Sequence, residues 1–127
     1  MAQLTKPIAL YMESLNTKDA AAIEASIAKD AHVYDMGENN HINGLEAIKK
    51  RRGAANEEFN LKSEVRNVED KYGVTIVKSL TSGNFPGSPQ LFYYFFSVAN
   101  GLIADILFAG RREQQVKQGN ARKRAGR

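Results

Sequence analysis

Apolar residues recur every three or four positions at the start of the chain, which predicts an amphipathic first helix. The stripe consists of Leu4, Ile8, Tyr11, Met12 and Leu15. Pro7 fits such a helix only near its first turn. Asp19 can cap a short second helix, whose inner face carries Ile23 and Ile27 and which we expect to end at residues 29–30.

A short alternating segment follows the second helix and predicts a strand at residues 31–36. The turn-forming cluster 37–40 comes next, and His41-Ile42 predicts a brief returning strand. Asn43 and Glu46 have the spacing of a capping box, so we expect Asn43 to cap a third helix. The stripe of that helix consists of Leu45, Ile48, Arg52, Ala55 and Phe59.

From residue 60 the apolar period changes to two, which predicts long strands. We expect them at residues 61–69, 74–82, 91–98 and 102–109, with a hairpin turn at Asn100-Gly101. The run 91–96 is apolar on both faces, whereas a sheet with one wet face alternates. We therefore expect helices on one face and a second copy of the chain on the other, giving a homodimer through the sheet. The alternative is that tyrosines exposed on this face tolerate water.

The composition excludes several kinds of site. The chain of 127 residues has no Cys, so disulfides, thiolate metal sites and Cys nucleophiles are ruled out. Two His without Cys do not make a structural zinc site, and no glycine-rich phosphate loop is present, so we expect neither a metal nor a cofactor. No apolar run has the length of a membrane span, and no secretion signal precedes the first helix, so we expect a cytoplasmic protein.

The positive charge is concentrated at the C-terminal end. Residues 111–127 contain seven Lys or Arg and one Glu, so the remaining chain is slightly acidic although the net charge is +4. We divide the chain into one domain, residues 1–110, and a basic tail, residues 111–127. The tail can attract nucleic acid or an anionic membrane. It has no aromatic residues on which bases could stack, so we expect neither contact.

Asp35 is the main chemical candidate because it shares a strand face with the apolar Val33. A carboxylate that faces a core costs free energy unless it is paired or used. A carboxylate in a dry pocket can abstract a proton beside a carbonyl group. The alternative is structural, since Asp commonly caps a turn such as the one that contains Gly37 and Asn39.

The order of these elements resembles the nuclear transport factor 2-like superfamily, and within it the SnoaL-like group. The likeness spans residues 4–110 and is carried by the segments 11–19, 30–35, 42–48, 83–89 and 100–103. It implies an α+β fold in which a cone-shaped, curved antiparallel sheet wraps around the N-terminal helices as a cystatin-like α+β barrel. It also implies an apolar pocket for a small apolar molecule. The superfamily includes ketosteroid isomerases, polyketide cyclases and proteins without chemistry, so fold alone does not fix the function.

The resemblance also implies roles for particular residues. Asp35 matches the general base of the isomerases and cyclases, and Tyr11 matches the tyrosine that donates a hydrogen bond to the substrate oxygen. Tyr93 falls where the isomerase has a protonated acid, a departure that weakens the case for ketosteroid isomerase activity itself. Packing in the core is the alternative role for Tyr11 and Tyr93.

The remaining candidates are assigned to ligand binding: His41, Arg52, Phe59, Phe95 and Ile106. His41 is suited to proton transfer near neutral pH, or it is a surface residue. Arg52 interrupts the apolar stripe of the third helix, and it either binds an anionic group or extends to water along its stem. We therefore expect a SnoaL-like pocket protein with isomerase- or cyclase-type proton transfer on a small carbonyl compound. The alternative is a non-catalytic protein that binds a small ligand or acts as a dimeric interaction module.

Overall fold

A computed structural model describes residues 3–110 of the chain. The predictions for the basic tail, residues 111–127, lie outside the described residues. The helices are α1 (Lys6–Thr17), α2 (Ala20–Ser26) and α3 (Leu45–Phe59). The strands are β1 (Ile27–Asp35), β2 (Asn40–Asn43), β3 (Lys62–Lys71), β4 (Val74–Ser82), β5 (Gln90–Ala99) and β6 (Leu102–Gly110).

The six strands form one sheet in the order β2-β1-β6-β5-β4-β3. The α+β class is therefore confirmed, but two details of the prediction are wrong. The sheet is mixed because β1 and β6 run parallel, whereas all other neighbours are antiparallel. It is also open rather than a closed barrel, since β2 and β3 lie at opposite ends of the strand order. The parallel pair forms where β1 joins the end of the β3–β6 meander through a long connection that contains α3, so no hairpin imposes an antiparallel direction.

The core lies between α1, α2 and one face of the sheet, which we call the inner face. Four residues of the predicted stripe, Ile8, Tyr11, Met12 and Leu15, are buried in α1, whereas Leu4 precedes the helix and is partly buried. Pro7 lies in the first turn of this helix. Phe96 of β5 is fully buried against Tyr11 of α1, with the two rings edge to face and their centroids 5.7 Å apart. Fully burying a side chain of this size stabilises the fold by roughly 2–3 kcal/mol.

Two side chains at the end of α1 attach this helix to the sheet edge. The Asn16 amide donates to the carbonyl oxygen of Ser63 at 2.9 Å and accepts from the backbone N–H of Ser63 at 2.7 Å. Lys18, in the left-handed region at φ 64°, donates its ammonium group to the carbonyl oxygens of Leu15 and Leu61. These contacts fix the end of α1 beside β3.

Two predicted element boundaries are wrong. Ile27 does not extend the second helix but opens β1, with extended dihedral angles and Ile103 of β6 as its partner. Asn43 does not cap α3, because it is the last residue of β2. Gly44 takes the cap position at φ 94°, without a side-chain cap. A backbone angle that only glycine adopts readily outweighs the capping preference of Asn here.

The third helix is only lightly attached to the rest of the domain. Of its fifteen residues only Ile48 is fully buried, and Gly53 lies in its interior with open space around its α-carbon. An ion pair between Lys49 and Glu24 connects it to α2. No helix within residues 3–110 is long and apolar enough to cross a membrane.

Candidate active site

A cavity of about 300 Å³ opens between α3, the inner face of the sheet and the loop 83–89. Its apolar wall consists of Phe59, Phe85, Phe92, Ile106 and Phe108, together with smaller aliphatic side chains. Its polar residues are Tyr11, Asp35, Glu38, Arg51, Arg52, Thr81 and Tyr94. Small-molecule sites are usually apolar clefts with a few polar groups that converge on the ligand.

Strand alternation decides which side chains reach this cavity. Asp35 of β1 pairs with Phe108 of β6, and Phe108 pairs in turn with Tyr94 of β5. All three side chains point to the inner face and line the cavity. Neighbouring strands are about 4.8 Å apart, so the backbones of Asp35 and Tyr94 are separated by roughly 10 Å. Two side chains of this length can approach one small ligand from both sides.

The carboxylate of Asp35 both lines the pocket and contacts the turn that follows β1. Its side chain is 14% exposed, and one carboxylate oxygen lies 3.5 Å from a guanidinium nitrogen of Arg51. The other oxygen accepts a hydrogen bond of 3.3 Å from the backbone N–H of Glu38. Both contacts are long, so each oxygen keeps a lone pair that can face the cavity. The catalytic and the turn-capping interpretations of Asp35 are therefore geometrically compatible.

Tyr11 and Tyr94 are the two phenols of the pocket. They are only 3% and 4% exposed, and this burial raises the pKa of both hydroxyl groups, against a smaller lowering by the positive charge of Arg52. Both phenols therefore stay protonated at neutral pH and can donate a hydrogen bond to a ligand oxygen. A phenol in a dry site is a sound donor for an oxygen on which negative charge develops.

Arg52 brings a buried positive charge to the pocket wall. Its Nε and Nη2 atoms are inaccessible to solvent and have no hydrogen-bond partner among residues 3–110. No carboxylate within that range forms an ion pair with it, because the carboxylates at the pocket margin, Asp35 and Glu38, pair with Arg51 instead. These two nitrogens therefore do not reach water, and anion binding by Arg52 stays a prediction.

Aromatic rings continue from the end of α3 across the apolar wall. Phe85 lies between Phe59 and Phe92, with ring centroids 6.2 Å from each, and Phe92 stacks on Phe108 at 4.9 Å. The loop that carries Phe85 is held to α3 by a hydrogen bond of 2.7 Å from the Asn84 N–H to the Phe59 carbonyl oxygen. This loop therefore closes one end of the cavity.

The structure brings together five of the eight residues chosen from the sequence. Asp35, Tyr11, Arg52, Phe59 and Ile106 all line the one cavity. The structure shows that these five residues line one cavity, and their action on a ligand stays a prediction.

The other three candidates, Tyr93, Phe95 and His41, do not line the cavity. Tyr93 and Phe95 alternate with the inward-facing Tyr94, so they lie on the opposite, outer face of the sheet. The prediction chose the wrong tyrosine because the run 91–96 is apolar on both faces and carries no alternation from which the inner face can be read. Tyr94 takes the place assigned to Tyr93.

His41 lies on the outer face beside Tyr34, with the two rings stacked at 4.3 Å. Its Nδ1 lies 2.7 Å from Nε2 of His32, and Nδ1 of His32 lies 2.8 Å from a carboxylate oxygen of Asp105. His41 is therefore part of a surface network and cannot orient Asp35 as expected. No group of three or more His, Asp or Glu side chains within residues 3–110 is arranged so that it could hold a metal ion.

Several pocket residues escaped the sequence analysis. Arg51 and Tyr94 were hidden because each adjoins a residue of the same type that was chosen or weighed instead, Arg52 and Tyr93. Phe85 lies in a loop whose turn-forming residues conceal its inward direction. Phe92 and Phe108 would have followed from the correct face assignment of β5 and β6.

Comparison with known proteins supports the fold assignment. No family model matches the sequence, and no curated protein matches it. Among solved structures, a protein from Sinorhizobium meliloti assigned as a polyketide cyclase is 28% identical, with a TM-score of 0.78 over 83% of this chain and 94% of that one.

Two further structures are more distant in sequence. A hypothetical protein from Catenulispora acidiphila with a ketosteroid isomerase-like fold, solved in complex with trimethylamine, is 11% identical, with a TM-score of 0.72 over 84% of this chain and 85% of that one. An epoxide hydrolase-like protein from M. tuberculosis is 12% identical, with a TM-score of 0.70 over 87% and 84% of the two chains. The chain therefore has the nuclear transport factor 2-like fold, in the form found in SnoaL-like polyketide cyclases and ketosteroid isomerase-like proteins.

Proposed function

We propose that the pocket binds a small, largely apolar carbonyl compound and that Asp35 moves a proton at the carbon beside the carbonyl group. The reaction would be an isomerisation or a cyclisation. One observation carries the proposal: a carboxylate and two protonated phenols line the same aromatic-walled cavity.

The proposed step uses these groups in complementary roles. A carboxylate oxygen of Asp35 takes the proton from carbon, the C–H electron pair becomes the C=C bond of an enolate, and the carbonyl oxygen takes up the negative charge. The hydroxyl groups of Tyr11 and Tyr94 donate hydrogen bonds to that oxygen. Where a further C=C bond is conjugated with the enolate, return of the proton from Asp35 to the far carbon completes an isomerisation. In a cyclisation the enolate carbon attacks a second carbonyl carbon, and the alkoxide that forms takes the proton back from Asp35.

The proposal is tested by proton exchange at carbon, which needs no knowledge of the natural product. Cyclic ketones and 1,3-diketones are incubated with the protein in D₂O, and loss of the α-proton signal is followed by NMR. We expect exchange above the buffer rate with the wild type and a loss of about a hundredfold or more with Asp35→Asn. Asp105→Asn is the matched control, because Asp105 is a carboxylate of the outer face. Exchange that survives Asp35→Asn would refute the assignment of the base.

A non-catalytic ligand pocket is the second candidate function. It is favoured by the contacts of Asp35 with Arg51 and with the N–H of Glu38, which give this carboxylate a structural role without any reaction. Such a protein would be stabilised against thermal unfolding by apolar carbonyl compounds, and the stabilisation would survive Asp35→Asn. Asp35→Asn, measured by proton exchange and by thermal unfolding, therefore distinguishes the two functions.

We also propose that the outer face of the sheet pairs with a second copy of the chain, in a cytoplasmic homodimer. Strand register gathers a half-buried apolar patch on this face, formed by Ile76, Leu80, Leu91, Tyr93, Phe95 and Leu107. One charged side chain, Lys78, lies on the same face between Ile76 and Leu80. An apolar patch of this kind is typical of a protein contact. Light scattering should give twice the chain mass for the wild type and the chain mass for Phe95→Lys. A wild-type monomer at micromolar concentration would refute the pairing.

A further inference from the structure

Arg52 is the one residue of the pocket wall with buried side-chain donors that lack a hydrogen-bond partner within residues 3–110. Four buried side-chain atoms lack a partner among residues 3–110, and three of them are nitrogen donors: Nε and Nη2 of Arg52 and Nε2 of Gln90. The fourth is Oδ1 of Asn56. Buried donors without acceptors are rare in folded proteins and call for a physical explanation.

The two neighbouring arginines of α3 differ in whether a carboxylate compensates their charge. Arg51 is 42% exposed and lies within 3.6 Å of both Asp35 and Glu38, so its charge is compensated at the pocket margin. Arg52 lies deeper and shares neither carboxylate. The adjacent positions of one helix therefore hold one neutralised and one unneutralised guanidinium group.

The groups that sense the charge of Arg52 do not neutralise it either. The positive charge lowers the pKa of Tyr11 and Tyr94 against the larger effect of their burial, and it adds to the burial and the Lys62 charge that lower the pKa of Lys18. These neighbours are two protonated phenols and a second cation. The cavity wall around Arg52 therefore carries a positive charge beside two phenol donors, Tyr11 and Tyr94, and an anionic oxygen group is the chemical complement.

We propose that the pocket recognises an organic carboxylate, with the carboxylate group bound by Arg52 and the apolar body packed against the aromatic wall. This inference names the class of compound that the site proposed above would take, and it rests on that site. A guanidinium group matches a carboxylate in shape and charge, so the ligand would supply the counter-charge that Asp35 and Glu38 give to Arg51 instead. Specificity would then follow from Arg52, and chemistry from Asp35.

The experiment uses the full chain and pairs of ligands that differ only in charge: 2-naphthoate with 2-naphthamide, and benzoate with benzamide. Affinities are measured by isothermal titration for the wild type, Arg52→Met and Arg66→Met. Methionine keeps the length of the stem without the charge. Arg66 is the matched control, since its guanidinium group pairs with Glu64 in solvent.

We expect the wild type to bind each carboxylate about tenfold or more tightly than its amide. Arg52→Met should abolish this preference, whereas Arg66→Met should keep it. The inference is overturned if acid and amide bind equally to the wild type, if the preference persists in Arg52→Met, or if no carboxylate of the set binds.

Thermal unfolding of the ligand-free protein gives a second, independent readout. Removal of an unpaired buried charge should leave the Tm of Arg52→Met equal to or above that of the wild type, and a marked decrease would assign Arg52 to the structure instead. Failure of the anion site and failure of the proposed reaction remain distinguishable. The first removes the acid-over-amide preference while proton exchange still depends on Asp35, and the second removes that dependence while the preference stays.

Discussion

Asp35→Asn should change the free energy of unfolding very little. A loss of proton exchange in this variant can therefore be assigned to the missing carboxylate rather than to unfolding. The substitution preserves shape and removes the charge. An Asn side-chain oxygen can still accept the hydrogen bond from the Glu38 N–H, which measures 3.3 Å in the structure. The main loss is therefore the ion pair with Arg51 at 3.5 Å.

The magnitude follows from distance and exposure. Two unit charges at 3.5 Å attract by about 1 kcal/mol in water and by about 5 kcal/mol at an effective dielectric constant of 20. Arg51 is 42% exposed, and such pairs contribute roughly 0–1 kcal/mol after desolvation and side-chain ordering. We therefore expect Asp35→Asn to lower the free energy of unfolding by about 1 kcal/mol or less. Asp35→Ala, which also removes the turn contact, should cost about 1 kcal/mol more.

Urea unfolding at low and high NaCl measures both variants against the wild type. Since the pair is partly exposed, the difference between the wild type and Asp35→Asn should shrink as salt is added, whereas the extra cost of Asp35→Ala should not. A loss of 3 kcal/mol or more for Asp35→Asn, the scale typical of a broken buried pair, would refute this reasoning. It would show that Asp35 is primarily a structural residue.

Three further predictions concern the walls of the site and its attachment. Burial raises the pKa of Tyr94 above 10.0, so the folded state keeps this proton after the unfolded chain loses it. The free energy of unfolding should therefore fall as the pH rises above about 10. Unfolding experiments at alkaline pH should show a less steep fall for Tyr94→Phe. A methyl group on Gly83 would lie 2.7 Å from the carbonyl oxygen of Phe59, so Gly83→Ala should cost about 1–3 kcal/mol in urea unfolding, and an unchanged midpoint would contradict the close contact. Asn16→Ala removes both hydrogen bonds to Ser63 and should cost about 2 kcal/mol. Asn67→Ala, which removes only a solvent-exposed hydrogen bond to Glu69, is the control and should cost less than about 1 kcal/mol.

The sequence predicted helices and strands well wherever the period of apolar residues was clear. The stripe of α1 and the alternation of β4 placed those elements correctly, and β4 has the predicted bounds of residues 74–82. The prediction failed where a neighbour in space decides the outcome. Ile27 has the spacing of a helix residue, but pairing with Ile103 of β6 makes it the start of a strand.

The candidate site was predictable only in part, for reasons of geometry. Asp35 and Tyr11 could be chosen because each belongs to a segment that resembles a known fold, and both line the cavity. The choice between Tyr93 and Tyr94 depends on which face of β5 is the inner one, and an apolar run carries no such information. The pairing of Arg51 rather than Arg52 with Asp35 depends on the rotation of α3, which the sequence alone does not fix.

The light attachment of α3 has a consequence for how a ligand enters. This helix supplies Arg52 and Phe59 to the pocket, yet it is anchored by one fully buried side chain, Ile48, and weakened by Gly53. An element with few buried contacts opens at a lower free energy than the sheet it covers. Amide hydrogens of α3 should therefore exchange with solvent sooner than those of β5, and a bound molecule should slow them. The helix that contributes Arg52 and Phe59 to the pocket would then also be the element that opens to admit the ligand.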